Sequence, residues 1–121
     1  MGRERTVSAG EALFIISVAA RMVGMHAQTL RKYERAGFVE PSRTDGRLRL
    51  YSREDLRRLR QIKRLVDLRG VNLSGVELAL DLTDQLQRLA ADVATLDDPV
   101  ELRATVWSRV AQMLRELEVG E

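Results

Sequence analysis

Between Gly24 and Glu34 the chain reads Gly24-Met25-His26-Ala27-Gln28-Thr29-Leu30-Arg31-Lys32-Tyr33-Glu34, a glycine turn running straight into a short helix loaded with polar side chains. An imidazole, a carboxamide, a hydroxyl and two cations spaced along one helix suit the major groove of DNA. There each base pair shows its own pattern of donors and acceptors, and phosphates line both edges. Catalysis finds no such support. One histidine and no cysteine cannot build the usual nucleophilic or thiolate-metal sites, and no glycine-rich nucleotide loop or cleft-forming carboxylate pair is evident. The chain reads as a non-enzyme, with no metal, cofactor or small-molecule ligand expected.

The elements around this run must position it. Upstream, Ser17-Val18-Ala19-Ala20-Arg21-Met22-Val23 spaces its apolar residues as a helix does, so helix, Gly24 turn and second helix form a helix-turn-helix. In that motif the second helix enters the major groove. His26, Gln28, Thr29 and Lys32 are therefore the candidate readers, while Leu30 and Tyr33 face partly inward. His26 has two readings, a base or phosphate contact and a plain N-cap role. Gln28 can pair with adenine through its amide, whereas Thr29 can also cap or pack.

Downstream, residues 37–51 read as a small hairpin turning at Asp45-Gly46, with Arg43, Arg47 and Arg49 on its arms. Ser52-Arg53-Glu54-Asp55 then opens a helix with a capping serine and acids in its first turn. Leu56, Leu59, Ile62, Leu65 and Val66 carry that helix to Gly70. Its arginines 53, 57, 58, 60 and 64 read as a mostly solvated face. The run Ala12-Leu13-Phe14-Ile15-Ile16 is too short to span a membrane and reads as a lead-in strand or hydrophobic staple.

Residues Phe14 to about Leu82 resemble the DNA-binding half of MerR-family transcriptional regulators. The likeness rests on Phe14-Ile15-Ile16-Ser17-Val18-Ala19, Thr29-Leu30-Arg31-Lys32-Tyr33-Glu34, Gly37-Phe38-Val39, Pro41-Ser42-Arg43-Thr44 and Arg49-Leu50-Tyr51-Ser52. Gly24 to Arg31 and Gly70-Val71-Asn72-Leu73-Ser74-Gly75 are most similar to the HspR type of heat-shock repressor. The resemblance implies that Arg31 clamps phosphate and that Tyr33 packs under the helix or touches the backbone. It implies that Arg43, Arg47, Arg49 and Tyr51 belong to a DNA-contacting wing, and that Asn72 and Ser74 form a second wing meeting phosphate. It also implies an inverted-repeat operator, repression of chaperone genes, and the chaperone DnaK as co-repressor. Arg47-Leu48 stand where most of the family carries a glycine-aromatic pair.

Charge points the same way independently. Residues 1–70 hold 16 Lys+Arg against 8 Asp+Glu, and residues 71–121 hold 4 against 10. Cations gathered on one half release counterions from phosphates and give salt-dependent affinity.

In the acidic half, Leu78, Leu82, Leu86, Leu89, Val93 and Leu96 recur as a heptad seam that calls for a second helix, most simply one from another copy of the chain. Asp98 and Pro99 then start a last helix, with Glu101 completing a capping-box-like pair. Val106, Trp107, Val110, Met113, Leu114 and Leu117 give this helix a broad apolar face, and it is read as packing back on the seam.

The expected fold is mainly α. A flexible arm (1–12) precedes a winged helix-turn-helix domain with a small β-hairpin wing (13–76). A long dimerisation helix forming an antiparallel coiled coil (77–97) and a C-terminal helix (98–121) follow. With no secretory signal or membrane span, the chain is expected to be cytoplasmic and nucleoid-associated in a bacterium, acting on double-stranded DNA as a homodimer. Two alternatives remain at this level: a MerR-type activator that remodels promoter DNA on another signal, and a coiled-coil scaffold docking on nucleic acid without specificity.

Overall fold

A computed structural model describes residues 12–118. The expected N-terminal arm lies outside the described residues except for Ala12. The chain separates into two units, residues 1–76 and 77–121.

In the first unit, the run before the first helix is a strand and not merely a staple. β1 (Leu13–Ile15) pairs antiparallel with β3 (Arg49–Ser52), and β2 (Ser42–Arg43) pairs antiparallel with the other edge of β3, giving the order β1-β3-β2. Phe14 faces Tyr51 across one pair and Arg43 faces Arg49 across the other. The expected hairpin is thus two strands of a three-stranded sheet. Its middle strand is the most enclosed, and Tyr51 and Ser52 are buried.

α1 (Ile16–Val23) buries Ala19, Ala20 and Val23 and stops at Gly24. Gly24 takes the left-handed conformation at φ 71°. Its N–H donates to Arg21 O at 3.3 Å, and the Met25 N–H donates to Ala20 O at 3.0 Å. This paired closure satisfies carbonyls that a helix end leaves open, and it turns the chain into α2 (Ala27–Arg35). α2 buries Leu30 and Tyr33. Gly37, at φ 82°, ends it in the same way through the Phe38 N–H to Tyr33 O at 2.9 Å. Phe38 and Val39 are thereby brought into the core, where the Phe38 and Tyr33 rings lie 5.9 Å apart.

α3 (Arg53–Lys63) starts in a reciprocal capping box. The Ser52 hydroxyl accepts from the Asp55 N–H at 3.0 Å, and the Asp55 carboxylate accepts from the Ser52 N–H at 2.9 Å. Leu56, Leu59 and Ile62 are fully enclosed. Burying each such side chain is worth about 1.5–3 kcal/mol, so α3 is the backbone of this small core. Past Lys63 the α-helical spacing expected as far as Gly70 widens to a π-helical stretch, Arg64–Leu68, before Gly70 turns the chain.

The following helix, α4, runs Leu73–Val93 and not 77–97. Asn72 sits just before it and accepts the Gly75 N–H at 2.9 Å. In the second unit, α5 (Pro99–Glu116) is capped by Asp98, whose carboxylate accepts the Val100 N–H at 3.1 Å, with Pro99 at the first helical position. Gln85 of α4 donates to Glu116 at 2.9 Å, and Asp92 pairs with Arg109, so α5 runs antiparallel along α4. Among the described residues, no helix is long and apolar enough to cross a membrane.

Candidate nucleic-acid interface

The outer face of α2 presents the expected readers. Gln28 and Lys32 are exposed one turn apart, with Thr29 and Arg31 half-buried beside them. His26 occupies the N-cap position in extended conformation, yet its ring makes no capping bond. Its N-cap role is therefore confined to the backbone, whose carbonyl accepts from the Thr29 and Leu30 N–H groups at 2.9 and 3.2 Å. The exposed ring remains available to a ligand. Arg31 Nη1 donates to Gln28 Oε1 at 2.7 Å. This bond engages the oxygen that Gln28 would need to accept from adenine, so reader and clamp form one unit in the free protein.

One expected contact is corrected by burial. Tyr51 has no exposed surface, so it cannot reach DNA; it is the largest enclosed side chain of the domain. Its hydroxyl has no hydrogen-bond partner, and burial together with the nearby Glu34 carboxylate pushes its pKa up to about 12. Tyr33 is also buried against Phe38. Of the two roles implied for it, the structure shows packing under the helix. Burial, then the charge of Asp67, raises its pKa as well.

The wing is held by a residue that the sequence reading passed over. Glu34, in the last turn of α2, accepts from Arg43 Nη2 at 2.6 Å and from Arg49 Nε at 2.5 Å. An acid at a helix C-terminus opposes the helix dipole, and here two guanidiniums compensate. Burial tends to raise the Glu34 pKa, but the bonds and charges of Arg49 and Arg43 outweigh it and hold the carboxyl below its ordinary value. Two of the three wing arginines are therefore already paired within the protein.

The third, Arg47, sits exposed at the wing tip. The tip is closed by the Arg47 N–H to Thr44 O at 2.8 Å and the Thr44 N–H to Leu48 O at 3.0 Å. The left-handed residue of this turn is Arg47, at φ 67°, and not Gly46. Arg47 thus holds a backbone position that favours glycine, with exposed Leu48 beside it.

The arginines of α3 are mostly solvated, as expected, Arg53, Arg57, Arg60 and Arg64 being exposed and Arg58 half-buried, yet several are also bonded back to the protein. Arg58 Nε donates to Phe38 O at 2.7 Å, and Arg60 reaches Met22 O at 3.5 Å. Arg57 pairs with Glu54, and the Arg53 guanidinium lies 5.7 Å from the centre of the Phe14 ring. Lys63 Nζ donates to Gly24 O at 3.0 Å and Val23 O at 3.4 Å, bracing the turn that aims α2. At the second expected wing, the Asn72 oxygen is engaged in capping α4, while Ser74 is exposed in the first turn.

The six residues of the expected dimer seam differ in exposure. Leu89 is buried within the chain, and Leu96 lies beyond the end of the helix at Val93. Leu82 and Val93 are half-buried, whereas Leu78 and Leu86 are exposed, Leu86 at 53%. A more continuous open stripe lies on α5, which buries no residue. Val100, Trp107, Val110 and Leu114 follow at heptad-like steps, with Leu117 just past the helix end, and Trp107 is 77% exposed. The breadth of the α5 apolar face was the available signal, since one helix neighbour covers only part of such a face. Among the described residues, no group of three or more His, Cys, Asp or Glu side chains is placed to hold a metal ion.

The profile of the family described as MerR HTH family regulatory protein matches residues 14–83. The putative heat shock protein HspR of Streptomyces coelicolor is 43% identical over 93 residues, which is 77% of this chain and 62% of that protein. The mercuric resistance operon regulatory protein of Bacillus cereus is 30% identical over 111 residues, 87% of this chain and 83% of that one. The regulator GlnR of Bacillus anthracis is 37% identical over 68 residues, 56% of this chain and 52% of that one. The chain therefore spans about three fifths of the HspR protein and about half of GlnR. Among solved structures, HiNmlR, a MerR family regulator lacking the sensor domain and bound to promoter DNA, superposes with a TM-score of 0.57 at 20% identity. The match covers 88% of this chain and 80% of that one, and the likeness is one of fold.

Proposed function

The chain belongs to the MerR HTH family of DNA-binding transcriptional regulators, and from that membership we propose that it is a homodimeric repressor of heat-shock and chaperone genes acting on an inverted-repeat operator. The observation that carries this reading is the 43% identity to an HspR protein over 93 residues, which extends past the family-wide domain. The exposed His26, Gln28 and Lys32, with half-buried Thr29 and Arg31 beside them on one braced helix, support sequence reading at base edges. Arg47 and Ser74 supply flanking phosphate contacts on this reading.

The open stripe on α5 supports a second copy of the chain as the partner. Two-fold pairing through it presents two α2 helices to two half-sites, which is why the operator is expected to be an inverted repeat. The HspR-type resemblance brings DnaK with it as co-repressor.

The test is a binding titration at physiological salt, with the promoter fragment upstream of the chain's own gene against random duplex of equal length. A specific regulator prefers the promoter by at least about 10³-fold. Equal competition by the two would end the regulator reading. Purified DnaK added to the same titration is expected to tighten promoter binding, and an unchanged affinity would remove the co-repressor role alone.

A further inference from the structure

The Glu34 carboxylate stands at the C-terminal end of the recognition helix with both arms of the wing hairpin bonded to it. Arg43 comes from β2 and Arg49 from the paired position on β3, at 2.6 and 2.5 Å. Only 19% of the Glu34 side chain is exposed, so solvent competes weakly for it. Arg43 also donates to the Arg47 carbonyl at 3.3 Å, which links the same cluster to the wing tip. On charge alone, an acid in this place is unfavourable twice over: it lies at the negative end of a helix dipole and next to a surface meant for phosphate. Its compensation is geometric. A single carboxylate fixes the angle between the helix that reads bases and the hairpin that flanks it.

We propose that Glu34 is a positioning residue that sets DNA specificity: it holds Arg43 and Arg49 off the phosphates and locks the wing to the recognition helix, lowering affinity for any DNA while raising discrimination between sequences. The inference rests on the DNA-binding reading above and adds a residue that touches no DNA. Discrimination follows from rigidity. A wing free to swing lets two released guanidiniums find phosphates on any duplex, whereas a tethered wing accepts only a duplex on which the recognition helix is also seated.

The test uses the full chain on random duplex and on its own promoter fragment, each across a salt series. Glu34→Gln keeps the shape of the side chain and removes its charge. Random-duplex affinity is expected to rise, with the log–log salt slope steeper by about 1–2 as one or both freed arginines gain phosphates. The promoter-to-random ratio is expected to fall about tenfold. An unchanged slope and ratio would overturn the proposal.

Charge alone is separated from positioning by the double variant Glu34→Gln/Arg43→Gln, which has the wild-type net charge. Positioning predicts that its ratio stays low, and recovery of the wild-type ratio would reduce Glu34 to a simple repulsive charge and overturn the inference. Should Glu34→Gln fail to fold by circular dichroism, Glu34→Asp keeps the charge on a stem too short to meet both arginines. Its ratio is expected to drop, and a wild-type ratio would count against the proposal. A wild-type chain with no promoter preference would instead defeat the repressor reading, while the salt slope on random duplex still decides the role of Glu34.

Discussion

Replacing Gly24 by alanine tests how the recognition helix is aimed. Gly24 sits at φ 71°, and a Cβ built there falls 2.8 Å from Lys63 Nζ. The contact itself is cheap to relieve, because Nζ ends a flexible stem. The cost lies in what moves. A non-glycine residue in the left-handed region costs about 1–2 kcal/mol. Lys63, once displaced, gives up its bonds to Gly24 O and Val23 O, which at a half-buried site are together worth about 0.5–1 kcal/mol. Gly24→Ala should therefore destabilise the first unit by about 1.5–3 kcal/mol. With a urea dependence of about 1–1.5 kcal/mol/M for a unit of this size, the midpoint falls by roughly 1–3 M.

The assay is urea unfolding followed by far-UV circular dichroism at fixed protein concentration. The lone tryptophan, Trp107, lies on α5 and reports on the second unit. In a Lys63→Met background the same substitution should cost only the backbone part, about 1–2 kcal/mol, leaving a coupling of about 0.5–1 kcal/mol. A loss under about 0.5 kcal/mol for Gly24→Ala in the wild-type background would refute the account of this turn.

Three other outcomes are expected. Arg47→Gly should relieve the left-handed strain and stabilise the first unit by up to about 1 kcal/mol, yet flatten the salt slope of DNA binding by about 1; a titration and a melt on the same variant show whether the two effects part in this way. The contribution of Glu34 to stability should be complete above its ordinary pKa of 4.5 and fade as pH falls through its lowered folded value, while that of Tyr51 should fade as pH climbs from 10 towards about 12; denaturant midpoints across pH for wild type, Glu34→Gln and Tyr51→Phe read both windows, and loss of the Glu34 contribution above pH 5 would be the wrong sign. Leu114→Asp, on the open stripe of α5, should convert a dimer to monomer in light scattering, whereas Leu86→Asp on α4 should do so less; the reverse order would return the seam to α4.

What the sequence made legible was whatever depends on local spacing. The Gly24 turn, the two short helices around it, the serine cap of α3 and the Asp98-Pro99 start of α5 are each written within four or five residues, and all are present. What it hid depends on residues far apart in the chain. Glu34 lies 15 positions from Arg49, and Lys63 lies 39 positions from Gly24, so no window shows either pair. Tyr51 illustrates a second limit. Motif position made it a wing residue, but Tyr51 lies at the enclosed end of β3, opposite Phe14 of a third strand that the hairpin reading did not include. The heptad on α4 is a real apolar periodicity that serves in part within the chain, where Leu89 is buried, and leaves Leu78 and Leu86 open, since a stripe of leucines does not say which helix is its partner.

The same long-range pairs change what net charge means for this domain. Counting the excess of cations in residues 1–70 treats every arginine as a phosphate ligand. Yet Arg43 and Arg49 are bonded to Glu34, Arg57 to Glu54, Arg58 and Arg60 to backbone carbonyls, Lys63 to the α1 terminus, and Arg53 lies over Phe14. Bonds to carbonyls leave the cation charged but fix where it points, whereas bonds to Glu34 and Glu54 cancel charge locally. Among the described residues of α2 and the wing, Arg31, Lys32, Arg35 and Arg47 combine full charge with a place on the reading surface, Arg35 lying exposed on the face of Gln28 and Lys32. Each phosphate neutralised contributes about 0.9 to the salt slope, so four per protomer give a slope near −3.6, and near −7 for a dimer on two half-sites. A slope near −10 would mean that DNA pulls the tethered arginines away from Glu34, and that the wing is set by the operator instead of by the protein.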